Sequence, residues 1–313
     1  MSVIGIDLGG TKVAGAIFDA EGNMLNRKVQ LLDGATGTAA GDKVKLLVCE
    51  LLMLDPEISA IGVCVPGIVY SKKDTVWAPN IPGWEEFPLK AYIREALGEK
   101  ASTVEVRIES DRTCYILGEA WKGTAKGCNN AIYVAVGTGI GAGILIDGHV
   151  LHGANDIVGA TGWMALERPY REDFIPCGCW EHYASGTGIG IQARKALRCD
   201  KAYRGVMANK PVEDITSYDV FDAYKVGDPI ATKVLDQAIE LWGMGAANLV
   251  SLFNPEKVIF GGGIFGPAAI FVERIYAEAL KWGQPISMRD VVFAASAIDG
   301  NAALLGAAAL ALR

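Results

Sequence analysis

The sequence predicts an α/β chain of two similar lobes built on a duplicated core. Three observations carry this. Strand and helix patterns alternate along the chain. A glycine-turned hairpin at residues 6–19 recurs at 134–147. The 313 residues, 51% of them apolar, are enough for two domains of ordinary size, each with its own core.

Composition narrows the class. No apolar run reaches the ~18–20 residues of a membrane helix. The chain opens Met1-Ser2-Val3-Ile4-Gly5-Ile6, a strand pattern with no basic or apolar leader, so no secretory signal is read and the cytosol is the expected place. The net charge is −7, with no basic stripe of the kind that grips nucleic acid. A phosphate ligand therefore has to be held by backbone N–H groups and a metal, and the 38 glycines, which cluster, suit that role. The seven cysteines read as reduced thiols, mostly in the core.

In chain order, residues 3–8 read as a strand, Gly9-Gly10-Thr11 as a turn, and 13–19 as a second strand that turns at 20–23 into a third. Residues 41–54 have the apolar spacing of a helix, and 60–65 form an apolar strand stopped by Pro66-Gly67. A helix at 87–98, a strand at 104–108 and a helix at 111–122 follow. Residues 132–136 and 141–147 then form a second hairpin about Gly137-Thr138-Gly139. Helices are expected at 187–197, 228–253 and 267–282, and strands at 257–260 and 290–295. Asp299-Gly300-Asn301 reads as the start of a last, alanine-rich helix. Set against each other without a gap, the two hairpins match Gly9 with Gly137, Ala14 with Ala142, Gly15 with Gly143 and Asp19 with Asp147, which favours internal duplication. The first boundary falls near residues 117–130, giving lobes of 1–117 plus the final helix at 300–313, and 118–299.

Three glycine turns can cradle phosphate: Asp7 to Lys12, Gly137 to Gly141, and Gly261 to Gly263. Such turns present successive N–H groups to an anion, and Thr11 and Thr138 add hydroxyl donors. A carboxylate beside phosphate is repulsive unless magnesium lies between them, so Asp7 is the expected metal-orienting residue, directly or through water. A P-loop is excluded by its spacing and because Gly-Gly-Thr-Lys runs into a strand. A dinucleotide fingerprint forced onto Gly137 to Ala142 fails for the same reason, since a strand follows where a helix is needed.

These pieces, in order, make the chain resemble the ROK family of sugar kinases, whose name stands for repressors, open reading frames and kinases. The resemblance spans nearly the whole length. It rests on Asp7-Leu8-Gly9-Gly10-Thr11-Lys12, Pro66-Gly67, Ala78-Pro79-Asn80-Ile81-Pro82-Gly83-Trp84 and Glu109-Ser110-Asp111. It continues through Gly137-Thr138-Gly139-Ile140-Gly141-Ala142-Gly143, Gly153-Ala154-Asn155, Cys179-Trp180-Glu181-His182, Gly261-Gly262-Gly263 and Gly300-Asn301-Ala302-Ala303. The resemblance implies the duplicated ribonuclease-H-like fold of the actin and hexokinase ATPases, with ATP and magnesium in the cleft between lobes. It implies that Gly9, Gly10, Thr11, Lys12, Gly137, Thr138 and Gly139 hold the phosphates and that Gly262 and Gly263 lie against adenosine. Asn80 and Glu181 would bond sugar hydroxyls beside Ser110, and Asp111 would take the proton of the attacking hydroxyl. A homodimer, with the second lobe and its long helix at 228–253 as the oligomer surface, is a family habit.

The chemistry supports Asp111 independently. Phosphoryl transfer needs a positioned hydroxyl, and a carboxylate in reach can orient it and accept its proton. Ser110-Asp111 equally suits a helix cap. Asn80 alone reads as a turn residue, and Glu181 alone as a solvated carboxylate.

The chain also departs from the family. Where the family carries Gly-Glu-x-Gly-His, it reads Gly159-Ala160-Thr161-Gly162-Trp163, and Ser110 replaces the usual Asn. Two of the family's metal-binding cysteine positions fall at Glu172 and Phe174, so no zinc site is expected, and Cys177 with Cys179 reads as a pair of buried thiols. Trp163 would then pack an apolar sugar face or fill the vacated space. A hexose, a substituted sugar or a cyclitol is the expected acceptor. A DNA-binding regulator would need a helix-turn-helix before Val3, and a degenerate kinase would bind without turnover. Intact Asp7, Asp111 and glycine turns argue against the latter.

Overall fold

The computed structural model describes residues 2–298 and 300–313, so the reading at Asp299 lies outside the described residues. The chain divides into two compact units. The first comprises Met1–Gly127, Val150–Val158 and Ala297–Arg313, and the second Cys128–His149 and Gly159–Ser296.

In the first unit, β1 (Ser2–Leu8), β2 (Lys12–Phe18) and β3 (Met24–Leu31) lead into α1 (Gly37–Leu54), β4 (Ile58–Val65), and a small hairpin of β5 (Ile68–Tyr70) and β6 (Thr75–Trp77). Then come α2 (Leu89–Leu97), β7 (Glu105–Ser110) and α3 (Asp111–Lys122). The sheet order is β3-β2-β1-β4-β7, with β1, β4 and β7 parallel, β2 antiparallel to β1, and β3 antiparallel to β2. Strand alternation sends Ile4, Ile6 and Leu8 into a core with Val44, Leu47, Leu51 and Ile93 of α1 and α2. The opposite face, starting with Val3, receives the last helix.

In the second unit, β8 (Ala131–Val136), β9 (Ile140–Ile146) and the two-residue β10 (His149–Val150), where the chain passes out of this unit at Val150, precede α4 (Cys179–Ala184), α5 (Gly186–Cys199), α6 (Ser217–Lys225) and α7 (Pro229–Phe253). The unit ends with β11 (Lys257–Gly261), α8 (Val272–Ala279), α9 (Pro285–Asp290) and β12 (Val292–Ala295). Its order, β10-β9-β8-β11-β12, repeats the first sheet strand for strand, with β8, β11 and β12 parallel and β9 antiparallel. This repetition is the strongest sign of duplication. The gapless match of the hairpins does not survive. Gly9 N–H donates to Lys12 O (2.9 Å), whereas Gly137 N–H donates to Gly139 O (2.9 Å), so the second turn is one residue shorter. Asp7 pairs with Ala14, while Ala135 pairs with Gly141, and every match beyond the turn slips by one.

The last helix, α10 (Ala302–Ala311), is alanine-rich and buried on nearly every side, docked on α3, β1 and β4. Glycines allow the approach: a Cβ on Gly62 would overlap the Ala307 carbonyl, and one on Gly118 would stand 2.5 Å from the Ala302 oxygen. Because α3 is the main partner of α10, the first unit runs through Gly127 and not only to residue 117. The apolar pattern at 267–282 resolves into a 3-10 turn at Pro267–Phe271 followed by α8. α7 is buried along most of its length against α4, α5, α6 and α8, with Lys233, Asp236 and Glu240 left exposed.

Candidate active site

The first unit gathers one set of the expected site residues at the carboxyl ends of its parallel strands, where open α/β sheets bind ligands. Asp7 is the penultimate residue of β1, and Asp111 follows directly on β7. The Ser110 hydroxyl accepts from Thr113 N–H (3.3 Å) and donates to Thr113 Oγ1 (3.2 Å), so Ser110, not Asp111, is the cap of α3. Capping occupies Ser110, and the Asp111 carboxylate is left at the first helical position, half-buried, its Oδ1 accepting from Arg112 N–H (2.8 Å).

Burial pushes the Asp111 carboxyl up to about 6 against the pull of the Arg112 charge and N–H, and the Asp7 charge adds to the rise. Asp7 is also raised, by burial, with the Cys64 thiol, Lys12 and Arg27 pulling the other way. The two carboxylates thus sense each other.

The Gly9–Lys12 turn lies beside them. A Cβ on Gly10 would come within 3.0 Å of the Asn80 Cβ, so the turn and the Asn80 loop abut. That loop hangs from Trp84, which is fully buried, stacked on Phe87 at 4.2 Å and donating Nε1–H to Gly37 O (2.9 Å). Asn80 is left exposed at its tip.

The second unit holds the other set: Gly137, Thr138, Gly139, Glu181, Gly262 and Gly263. Ser185 caps α5 by accepting Gly188 N–H (2.9 Å), and Gly186 N–H donates to Gly137 O (2.8 Å), which seats this helix N-terminus on the glycine turn. Gly262 adopts φ +89°, where a Cβ would lie 2.6 Å from Val136 O. Around these turns is a cavity of about 500 Å³, whose wall includes Gly137, Thr138, Thr187, Arg194, Tyr218 and Gly263. Helix termini and backbone N–H groups of this kind favour an anion. Arg194, fixed by donating Nη1–H to Ile215 O (2.6 Å), and Tyr218 were not legible beforehand, since no local motif marks them.

Glu181 does not behave as a solvated carboxylate. Its Oε2 accepts Ile140 N–H (2.6 Å), and burial raises it above the ordinary range while that bond opposes the rise. A Cβ on Gly139 would reach within 2.5 Å of the same oxygen, and one on Gly162 within 2.9 Å of the Glu181 Cβ, so both glycines make room for it.

The residues at the family's zinc positions do not fit a metal. Glu172 is exposed, and Phe174 is buried among the rings of Tyr170, His182 and Tyr183, at 5.5–6.2 Å. Among the described residues no group of three or more His, Cys, Asp or Glu could hold a metal. Cys179 is buried but Cys177 only partly so, which corrects the reading of a buried pair. Trp163 is 58% exposed and does not fill a vacated space.

The chain is 30% identical to a glucokinase of Streptomyces coelicolor, over 98% of its own length and 96% of the relative's. The structure of a ROK family glucokinase from Streptomyces griseus, in complex with glucose and AMPPNP, superposes with a TM-score of 0.79 at 28% identity, covering 99% of each chain. A xylose repressor of Caldicellulosiruptor bescii is 28% identical over 88% of this chain and 69% of its own. The repeated sheets are those of the two-lobed, ribonuclease-H-like fold of actin and hexokinase. With residues 3–313 matching the family as a whole, the chain belongs to the ROK family.

Proposed function

We propose that this protein transfers the γ-phosphate of ATP to a hydroxyl of a hexose or related sugar, with Asp111 as general base. The observation that carries the reading is the pair of carboxylates at the ends of β1 and β7, with Asp111 titrating at about 6. A base with that value is ionised at neutral pH, yet basic enough to accept a hydroxyl proton as the new bond forms. Asn80 and Glu181 orient acceptor hydroxyls. The turns at Gly9–Lys12 and Gly137–Gly139 present N–H groups to phosphate, and Gly262 and Gly263 lie against adenosine. Oxygen donors and two mutually repelling carboxylates suit a hard divalent cation, and Asp7 is the residue that would hold it, through water. Magnesium bound with the nucleotide neutralises charge on the phosphate oxygens. The relatives' names favour a glucokinase-like activity, while Ala160 in place of the family glutamate points to an acceptor other than unmodified glucose. No helix among the described residues is long and apolar enough to cross a membrane. We place the protein in the cytosol, acting as a homodimer.

A second reading, sugar binding without turnover, draws on the missing glutamate and histidine at 160 and 163 and on repressor relatives. A coupled ADP-release assay across hexoses, amino sugars and cyclitols separates the two. Turnover of at least one acceptor that Asp111→Asn abolishes supports the kinase. Saturable sugar binding with no ADP release from any acceptor supports the second reading.

A further inference from the structure

Asp7, Cys64 and Glu109 stand in register on neighbouring strands β1, β4 and β7. Residues paired across a sheet face the same way, and this face is the one covered by α3 and α10. Cys64 is fully buried and packs there with Cys114, Ala303 and Ala307. The pairing register sets the Cys64 thiol beside the Asp7 carboxylate, whose ionisation it favours, and Cys114 packs against it in the same buried cluster. A neutral thiol has one proton to give, and a carboxylate is the better acceptor. The arrangement that follows has the Cys64 S–H directed to Asp7, with Cys114 packed behind it.

We propose that Cys64 is a positioning residue for Asp7, holding its carboxylate from beneath, with Cys114 as backing, in the orientation that receives the cation of the nucleotide. The proposal rests on the metal-orienting reading of Asp7. It gives a buried thiol pair a role that no local sequence pattern suggests. The neighbours explain why a thiol stands there. Asp7 is half-buried, and its other attractive partners, Lys12 and Arg27, act as charges without a side-chain hydrogen bond to it. Without Cys64 the carboxylate keeps its charge but loses the contact that selects one rotamer.

The test measures Mn²⁺ binding to the protein with a non-hydrolysable ATP analogue by electron paramagnetic resonance, alongside the Mg²⁺ dependence of sugar phosphorylation. Cys64→Ala is expected to weaken Mn²⁺ binding about tenfold, the scale of one hydrogen bond to a charged group. The Mg²⁺ needed for half-maximal rate should rise in parallel, while kcat at saturating Mg²⁺ stays within about threefold. Cys64→Ser, which keeps a donor, should restore both to within about threefold of the parent. Cys64→Val, which fills the space without a donor, should behave like alanine and stands in for it if Cys64→Ala does not fold. Wild-type Mn²⁺ affinity in the alanine or valine variant, or equal defects in serine and valine, overturns the proposal. Asp7→Asn separates the two levels. If it leaves Mn²⁺ affinity unchanged, the reading of Asp7 fails and this inference with it; if it weakens binding while Cys64→Val does not, only the inference fails.

Discussion

Replacing Asp111 with asparagine should abolish activity and yet stabilise the fold. Asp111 ionises near 3.8 in an unfolded chain and at about 6 in the native one, chiefly because burial disfavours its charge. A carboxyl raised on folding contributes most to stability below its unfolded value, where it is neutral in both states. That contribution is lost as pH rises through about 6. The displacement sets a ceiling of ~3 kcal/mol at neutral pH, at ~1.4 kcal/mol per pH unit. Solvent reaching a half-buried group reduces this to ~1–2 kcal/mol. Asparagine carries no charge to desolvate, and its oxygen can keep the Arg112 N–H bond. Asp111→Asn should therefore melt ~2–6 °C higher than the parent at pH 7.5, and the difference should vanish near pH 4. kcat should fall by 10³ or more, the order lost with a proton acceptor together with its orienting role, while ATP-analogue affinity stays within a few-fold. Melting curves at the two pH values, a coupled kinase assay and calorimetric nucleotide titration supply the data. A variant that keeps near-normal kcat refutes the assignment of the base. One that is less stable than the parent at pH 7.5 refutes the account of its burial.

In the parent enzyme, kcat/KM should fall about tenfold per pH unit below about 6, and the acid limb should move to lower pH in Asp7→Asn, because one neighbouring negative charge is gone. Glu181→Gln should raise the acceptor KM tenfold or more, the cost of one hydrogen bond to a charged group, with nucleotide affinity unchanged by calorimetry. Gly262→Ala, at φ +89° and against Val136 O, should weaken nucleotide binding at least tenfold without moving sugar affinity. Gly62→Ala, which drives a Cβ into the Ala307 carbonyl, should destabilise the first unit by ~1–3 kcal/mol in urea titrations, with α10 displaced. Elemental analysis of protein purified without chelator should find far less than one zinc per chain, because Phe174 and Glu172 stand at ligand positions; stoichiometric zinc would contradict this.

Local patterns carried far in this chain. The strand from 3–8, the helix at 111–122 and the long helix near 228–253 were legible within a residue or two, because each has a clean apolar period and a capping or turn signal at its ends. The small hairpin at 68–77 and the six-residue α4 and α9 were not, because they span too few residues for a period to show. The hairpin match misled for a related reason. Glycine and alanine recur often enough that a one-residue difference in the turn is invisible until the pairing register is known.

The candidate site divides along the same line. Asp7 and Asp111 sit where a strand meets a turn or a helix, so their own neighbours in sequence announce them. The cap at Ser110, the accommodation of Glu181 beneath Gly139, the cavity wall at Arg194 and Tyr218, and the thiol under Asp7 depend on partners far apart in the chain. Sequence alone therefore determined the duplicated α/β plan, the glycine turns and the two aspartates, because each is written in a stretch of a few consecutive residues. Tertiary structure alone decided which side chains those aspartates meet and how each is charged. Strand register and helix docking choose those neighbours, and neither leaves a mark in any one segment.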